Sequence, residues 1–303
     1  MKKHSWIRFA SIGFCLSIAL ALGCAPAASA QQDSDQPPSD NPQCTNENLQ
    51  GRYGYIVSGW LVGLVPVAAV GVVTFDGDGI LNVQDTFNNS VAISRTTGAG
   101  SYTVNPNCTG SASIDLTSDA PIDLEHLEFN FMIVPGTHGR EFSLIVTKSG
   151  AIETGAIETG DAQRISDEEC TDATVQGTYR LLAGGFALGK GPTASVGIRI
   201  VDGAGHLSGH DTVSTNGVIQ PRDVLSTYMV NSNCTGTQAF TTPDLRTFDW
   251  VIVAGGAQVF FIRTDPGAIG NSGTVASGTY KKQSHSCPTP DNDGSADDHS
   301  DSD

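Results

Sequence analysis

Two aspartates and two tyrosines offer the most chemistry in this chain: Asp85 with Tyr102, and Asp211 with Tyr228, the second pair 126 positions after the first. Around Asp85 the residues alternate, with Leu81, Val83 and Phe87 on its side and Asn82, Gln84, Thr86 and Asn88 on the other. A strand written that way turns its apolar side to a core and carries the carboxylate inward with it. Asp211 keeps the same register beside Leu207, Gly209 and Val213. On the following strand, parity turns Tyr102 and Val104 inward, and Tyr228 and Val230 likewise. An inward carboxylate beside an inward phenol has two readings: a satisfied structural hydrogen bond, or a polar anchor for a small ligand in an apolar cavity. Catalysis by the same pair needs a phenol that gives up its proton easily, and nothing in the sequence supplies one.

These residues recur because the chain is one unit written twice. A shift of 126 superimposes Cys44 on Cys170, Gly51 on Gly177, Pro66 on Pro192, Asp76-Gly77 on Asp202-Gly203 and Cys108 on Cys234. A period of that length is a duplicated domain, not a solenoid module. Within the second copy, turn residues separate eight runs rich in β-branched and aromatic residues: 177–188, 194–201, 206–215, 223–231, 236–242, 246–254, 258–265 and 273–282. The first copy has matching runs, Phe129 to Val134 answering Phe248 to Val253. Its last run is disturbed by a tandem Ala151–Gly155 and Ala156–Gly160 duplication, which reads as a lengthened loop. The fold class predicted is therefore all-β: two tandem eight-stranded antiparallel up-and-down barrels, which leave no free sheet edge. A pair of β-sandwiches is the alternative.

The cysteines test that topology. In such a barrel the start of the first strand and the end of the fourth share a rim, and Cys44 and Cys108 occupy those two places, as do Cys170 and Cys234. Both pairs are 64 apart, so disulfides Cys44–Cys108 and Cys170–Cys234 are expected in an oxidising compartment. Cys287 is left over.

Composition narrows the function classes. Gly is abundant at 35 residues and charge is scarce at 16%, which suits turn-rich β-structure. With 16 basic against 32 acidic residues and no basic cluster beyond the first eight positions, nucleic-acid binding is not expected. The Asp-Gly pairs at Asp76 and Asp202 read as hairpin turns better than as calcium loops. His206 and His210 lie too far apart along a strand to hold a metal together. No cofactor fingerprint, phosphate loop or nucleophile elbow is present, so neither cofactor nor metal is expected.

The ends carry other signals. A basic start at Met1 to Arg8, an apolar run from Phe9 to Leu22 and Ala28-Ser-Ala30 predict a signal peptide over 1–30. Ala21-Leu22-Gly23-Cys24 is the alternative, a bacterial lipobox that puts a lipid on Cys24 and ties the protein to the envelope membrane. Residues 31–43 contain no apolar side chain and read as a disordered linker; 285–303 read as a disordered acidic tail. The folded repeats then span 44–165 and 170–284.

The string Gly-x-Tyr after a Cys, Asp-Gly-x-Gly, Tyr-x-Val-Asn-x-Asn-Cys-Thr-Gly and a closing Ser-Gly-Thr resembles a group of secreted bacterial proteins of uncharacterised function. By architecture alone each unit is similar to lipocalin-type and allene-oxide-cyclase-type barrels. It differs from lipocalins where Gly51-Arg-Tyr53 and Gly177-Thr-Tyr179 stand in place of their Gly-x-Trp. The resulting expectation is an exported, non-catalytic tandem-barrel protein whose lumens hold at most one small apolar ligand each, with Asp85, Tyr102, Asp211 and Tyr228 as the binding residues. The alternatives are a structural surface protein with barrels filled by residues such as Phe129, Phe131, Phe248 and Trp250, and a lumen-based enzyme such as an isomerase.

Overall fold

The computed structural model describes residues 43–61, 65–119, 125–150, 156–265 and 273–283. The expected leader, linker and tail, with Cys24 and Cys287, lie outside them. The first repeat forms β1 (Gln50–Leu61), β2 (Val65–Asp76), β3 (Ile80–Asn88), β4 (Ile93–Val104), β5 (Thr109–Ser118), β6 (His126–Ile133), β7 (Glu141–Ser149) and β8 (Ala156–Arg164). The second forms β9 (Gly177–Ala187), β10 (Gly191–Val201), β11 (His206–Thr215), β12 (Val218–Val230), β13 (Thr235–Thr242), β14 (Thr247–Val253), β15 (Gln258–Arg263) and β16 (Thr274–Lys282). Each set pairs in chain order as an antiparallel sheet, and its last strand returns to its first, giving two closed eight-stranded barrels. Of the duplicated segment, Ala156–Gly160 is not loop: it opens β8, the strand that closes the first barrel against β1.

Both expected disulfides are present, Cys44–Cys108 and Cys170–Cys234. Bonds of this kind belong to an oxidising, extracytoplasmic setting. Beside each lies a one-turn 3-10 helix, Asn46–Leu49 or Asp172–Val175, whose Leu49 or Val175 is fully buried and plugs that end. Tyr102 and Tyr228 latch the plugs, and Tyr53 and Tyr179 hold the connections after β6 and β14. The Tyr102 hydroxyl lies 3.2 Å from the carbonyl of Leu49, Tyr228 donates to the Asp172 carbonyl at 3.2 Å, and Tyr53 and Tyr179 donate to the Gly139 and Gly256 carbonyls at 2.6 Å. The Asp-Gly segments form hairpin turns. Asp76 Oδ1 accepts from the amides of Asp78, Gly79 and Ile80 at 2.8 to 2.9 Å, and Gly77 takes the left-handed φ of 92° that such a turn needs.

The barrels pack side by side. Ala68 and Val70 on the outer side of β2 are buried in one apolar cluster with Val251, Val253, Phe260 and Ile262 of β14 and β15. Asp249 tightens the joint, accepting from Thr86 and from Arg95, both at 2.8 Å. Trp60 and Phe186 meet edge to face at 5.3 Å along its border. Thus Thr86 and Asn88, outward by parity, are nonetheless buried by the neighbouring barrel. Among the described residues no helix is long and apolar enough to cross a membrane.

Candidate functional site

Parity places Asp85 and Asp211 inside their barrels, but neither meets its expected tyrosine. Asp85 stands opposite Thr96 across the β3–β4 pair, and Asp211 opposite Arg222 across β11–β12. Tyr102 and Tyr228 lie six residues further along, about 20 Å away at strand spacing, in the plugged end. Neighbouring strands are not neighbouring residues. Burial pushes the Tyr102 phenol up to about 12, so it holds its proton and latches backbone.

At the Asp85 level, Tyr55, Gly71, Asp85 and Thr96 lie side by side on four successive strands. Tyr55 donates to Asp85 Oδ2 across Gly71, and Thr96 donates to Oδ1. Gly71 is required there, since an added Cβ would stand 2.3 Å from the Asp85 Cβ. Glu158, from β8, is also buried in this barrel, at 5% exposure. Burial, with the Asp85 charge second, raises its carboxyl to about 7. Asp85 is raised too, by burial, against which its two hydrogen bonds pull. The first barrel therefore holds an acid pair that resists ionisation. Tyr55→Phe is expected to cost about 1 kcal/mol, one hydrogen bond, in urea unfolding; an unchanged midpoint would show that the hydroxyl contributes nothing.

The second barrel keeps the aspartate and reverses the surroundings. At the positions of Val73 and Thr96 it carries Arg199 and Arg222. Arg199 reaches across Gly209, whose added Cβ would meet Arg199 Cδ at 2.9 Å, and donates through Nη2 to Asp211 Oδ2. Arg222 donates to the same carboxylate from Nε at 2.6 Å and Nη2 at 3.1 Å. Burial pushes Asp211 up, yet the hydrogen bonds and charges of Arg222 and Arg199 outweigh it and hold the carboxyl below the usual range. Two guanidiniums thus share one carboxylate. Arg199 is 1% exposed; its Nη1 donates to the Ile198 carbonyl at 3.0 Å, while its Nε is buried with no hydrogen-bond partner among the described residues.

Nearby, Tyr280 donates to Gln238 Oε1 at 2.9 Å, and Gln238 donates to Ser226 at 2.8 Å, completing a polar layer across the lumen. Above it Arg199, Phe240, Phe248 and Phe261 line a cavity of about 70 Å³. This widens into a cleft of about 620 Å³ at the end opposite the disulfide, bordered by Lys190, Arg222, Arg246 and Arg263. Arg246 binds Asp244 at 2.6 Å and Arg263 binds Asp265 at 2.5 Å. Burial lowers the proton affinity of Arg246, as do the charges of Arg222 and Arg263, against the pull of Asp244. In a chain of net charge -16, this mouth and lumen set the guanidiniums of Arg199, Arg222, Arg246 and Arg263 against only Asp211, Asp244 and Asp265. Guanidiniums beside an aromatic lining are groups that can pair with an anionic head and pack against an apolar body.

No family model matches the chain, and no curated protein does. Among solved structures it is similar to kievitone hydratase from Nectria haematococca, at 6% identity and a TM-score of 0.27, over 82% of this chain and 95% of that one. It is similar also to a protein of unknown function from the DUF3598 family of Nostoc punctiforme, at 9% identity and a TM-score of 0.26, over 80% of this chain and all of that one. At such scores the hydratase activity is a fact about that protein alone.

Proposed function

We propose that this is an exported binding protein whose second barrel takes one small amphipathic anion, its charged head at Arg199 and Arg222 and its apolar body among Phe240, Phe248 and Phe261. The observation that carries the proposal is the buried Arg199 Nε beside a cavity: burial raises the proton affinity of the Tyr280 phenol and the guanidinium lowers it, yet this N–H has no acceptor among the described residues. Leaving such a donor unmade is costly, and an anionic acceptor relieves it. Asp211 is then a positioning residue: it holds the two guanidiniums apart and aligned without itself meeting the ligand. The first barrel, with Val73 and Thr96 in place of the arginines, supports the second by packing against it. Export through the leader ending at Ala30 agrees with the disulfides, and lipid attachment at Cys24 is the alternative; the intact mass of the extracted protein separates them.

Anilinonaphthalene sulfonate and its uncharged relative phenylnaphthylamine share an apolar body and differ in the anionic head. The sulfonate is expected to bind the wild type more tightly, and Arg199→Met to weaken it by about 10- to 100-fold, the value of one charge-assisted hydrogen bond. The uncharged probe should be unaffected by that substitution. Equal binding of both probes, or sulfonate binding that survives Arg199→Met, contradicts the proposal.

One observation favours the isomerase alternative. Glu158, at about 7, has the proton affinity of a neutral-pH acid–base group. A Glu158→Gln variant whose only change is in the pH dependence of the first barrel's stability assigns this carboxyl to the fold instead.

A further inference from the structure

The joint between the barrels uses one face of each repeat, and the duplication has left the other copy of each face open. In the first barrel the joint face is Ile56 on β1 with Ala68, Val70 and Val72 on β2, packed in the cluster that includes β14 and β15. The same positions 126 residues on are Leu182, Ala194, Val196 and Ile198, apolar at every place. No described residue covers them: Leu182 is 59% exposed, Val196 60% and Ile198 36%, and Ile200 next along β10 is 52% exposed. A row of aliphatic side chains facing water on consecutive outward positions is not what a freestanding barrel needs.

The receiving face is duplicated as well. Val251 and Val253 on β14, with Phe260 and Ile262 on β15, receive the first barrel. By repeat alignment and strand pairing their counterparts are Met132 and Val134, with Ser143 and Ile145 on β7. Met132 and Ile145 are 50% and 49% exposed and border a surface groove of about 590 Å³.

We propose that a second copy of this chain docks here, the β9–β10 face of one molecule on the β6–β7 face of the next, repeating between molecules the joint made once within each. Such a contact is heterologous: the faces differ, so each added copy leaves one of each open, and the assembly grows as an open row. The Arg95–Asp249 ion pair does not recur, because Pro221 and Asn130 stand at those places, so the joint between molecules rests on apolar contact and is the weaker one. Self-association is expected to be reversible and dependent on concentration.

Sedimentation velocity of the purified, disulfide-intact chain tests this. The average mass should rise with concentration past that of a dimer. Ile198→Asp, which charges one face, and Ile145→Asp, which charges the other, should each leave only monomers; Ile198→Thr and Ile145→Thr keep β-branched side chains should the Asp variants fold poorly. Mixing the two variants is the decisive step. Each retains the face the other lacks, so the mixture should form dimers and stop. A wild type that stays monomeric at its highest soluble concentration overturns the proposal, as does a closed dimer that survives either substitution, a mixture that remains monomeric, or a monomer that floats instead with phosphatidylcholine vesicles.

Discussion

Asp211→Asn is expected to destabilise the second barrel by about 3 to 5 kcal/mol, because it leaves the buried Arg199 and the half-buried Arg222 without their carboxylate. Arg199 is 1% exposed, so its charge cannot escape to water when its partner is lost. Asp85→Asn, at the equivalent position, should cost about 1 kcal/mol, since one of Tyr55 and Thr96 can still donate to the amide oxygen while the other hydroxyl accepts from the amide NH2. The asymmetry is the point: one aligned residue, two environments. Removing all three charges together, with Asp211→Leu, Arg199→Leu and Arg222→Leu, should recover much of the loss, because a buried ion group replaced by apolar packing is often neutral in stability. Denaturant unfolding read through Trp250, which packs against Tyr280 in the second lumen, follows this barrel. Equal costs for the two Asn variants would show that the arginine pair is not held as described.

The two barrels should also answer pH in opposite ways. Glu158 is near 7 in the folded first barrel and returns to its ordinary 4.5 on unfolding. The folded state therefore binds the proton more tightly, and its stability falls as pH rises from about 4.5 to about 7, by about 3 kcal/mol at ~1.4 kcal/mol per pH unit. Asp85, also raised, adds to the same trend. Asp211 is held low, so its contribution is complete above the ordinary Asp value of 3.8 and is lost only as pH falls through its lowered folded value. Native-state hydrogen exchange, strand by strand, should show β3 and β8 gaining protection from pH 7 toward pH 5, and β10 and β11 holding theirs. Glu158→Gln should remove most of the slope from the first barrel, leaving the part due to Asp85, and raise its stability above pH 7. A slope undiminished in that variant belongs to another group.

Much of this architecture was legible because the duplication gives every pattern twice. Strand count, barrel closure, both disulfides and the inward parity of Asp85 and Asp211 all follow from alternation and spacing. The pairing of those aspartates with Tyr102 and Tyr228 did not hold, since parity fixes a face and says nothing of height along the barrel. Counting from the Asp76 turn, antiparallel register sets Asp85 opposite Thr96 and leaves Tyr102 at the plugged end. Arg199 was hidden for another reason. Its neighbours Val196, Ile198 and Ile200 are the apolar half of an alternating run, yet they face out and the arginine faces in. The readable signal lay in the differences between copies, Val73 against Arg199 and Thr96 against Arg222 flanking an aspartate common to both. Glu158 was masked by the tandem duplication, which made the start of β8 look like a loop.

The most direct measurement observes the orphan donor itself. In protein labelled with 15N at arginine, the Arg199 Nε–H resonance is identified by its loss in Arg199→Met and then followed during titration with octanoate, an aliphatic carboxylate. A site that takes an anionic head at Arg199 predicts a saturable downfield shift of that one resonance, as the buried N–H gains an acceptor, with smaller changes at Arg246 and Arg263, which already hold Asp244 and Asp265. An Arg199 Nε–H that stays in place while octanoate saturates the protein, or shifts no more than the exposed arginines do, would contradict the assignment of the second barrel as an anion-binding site.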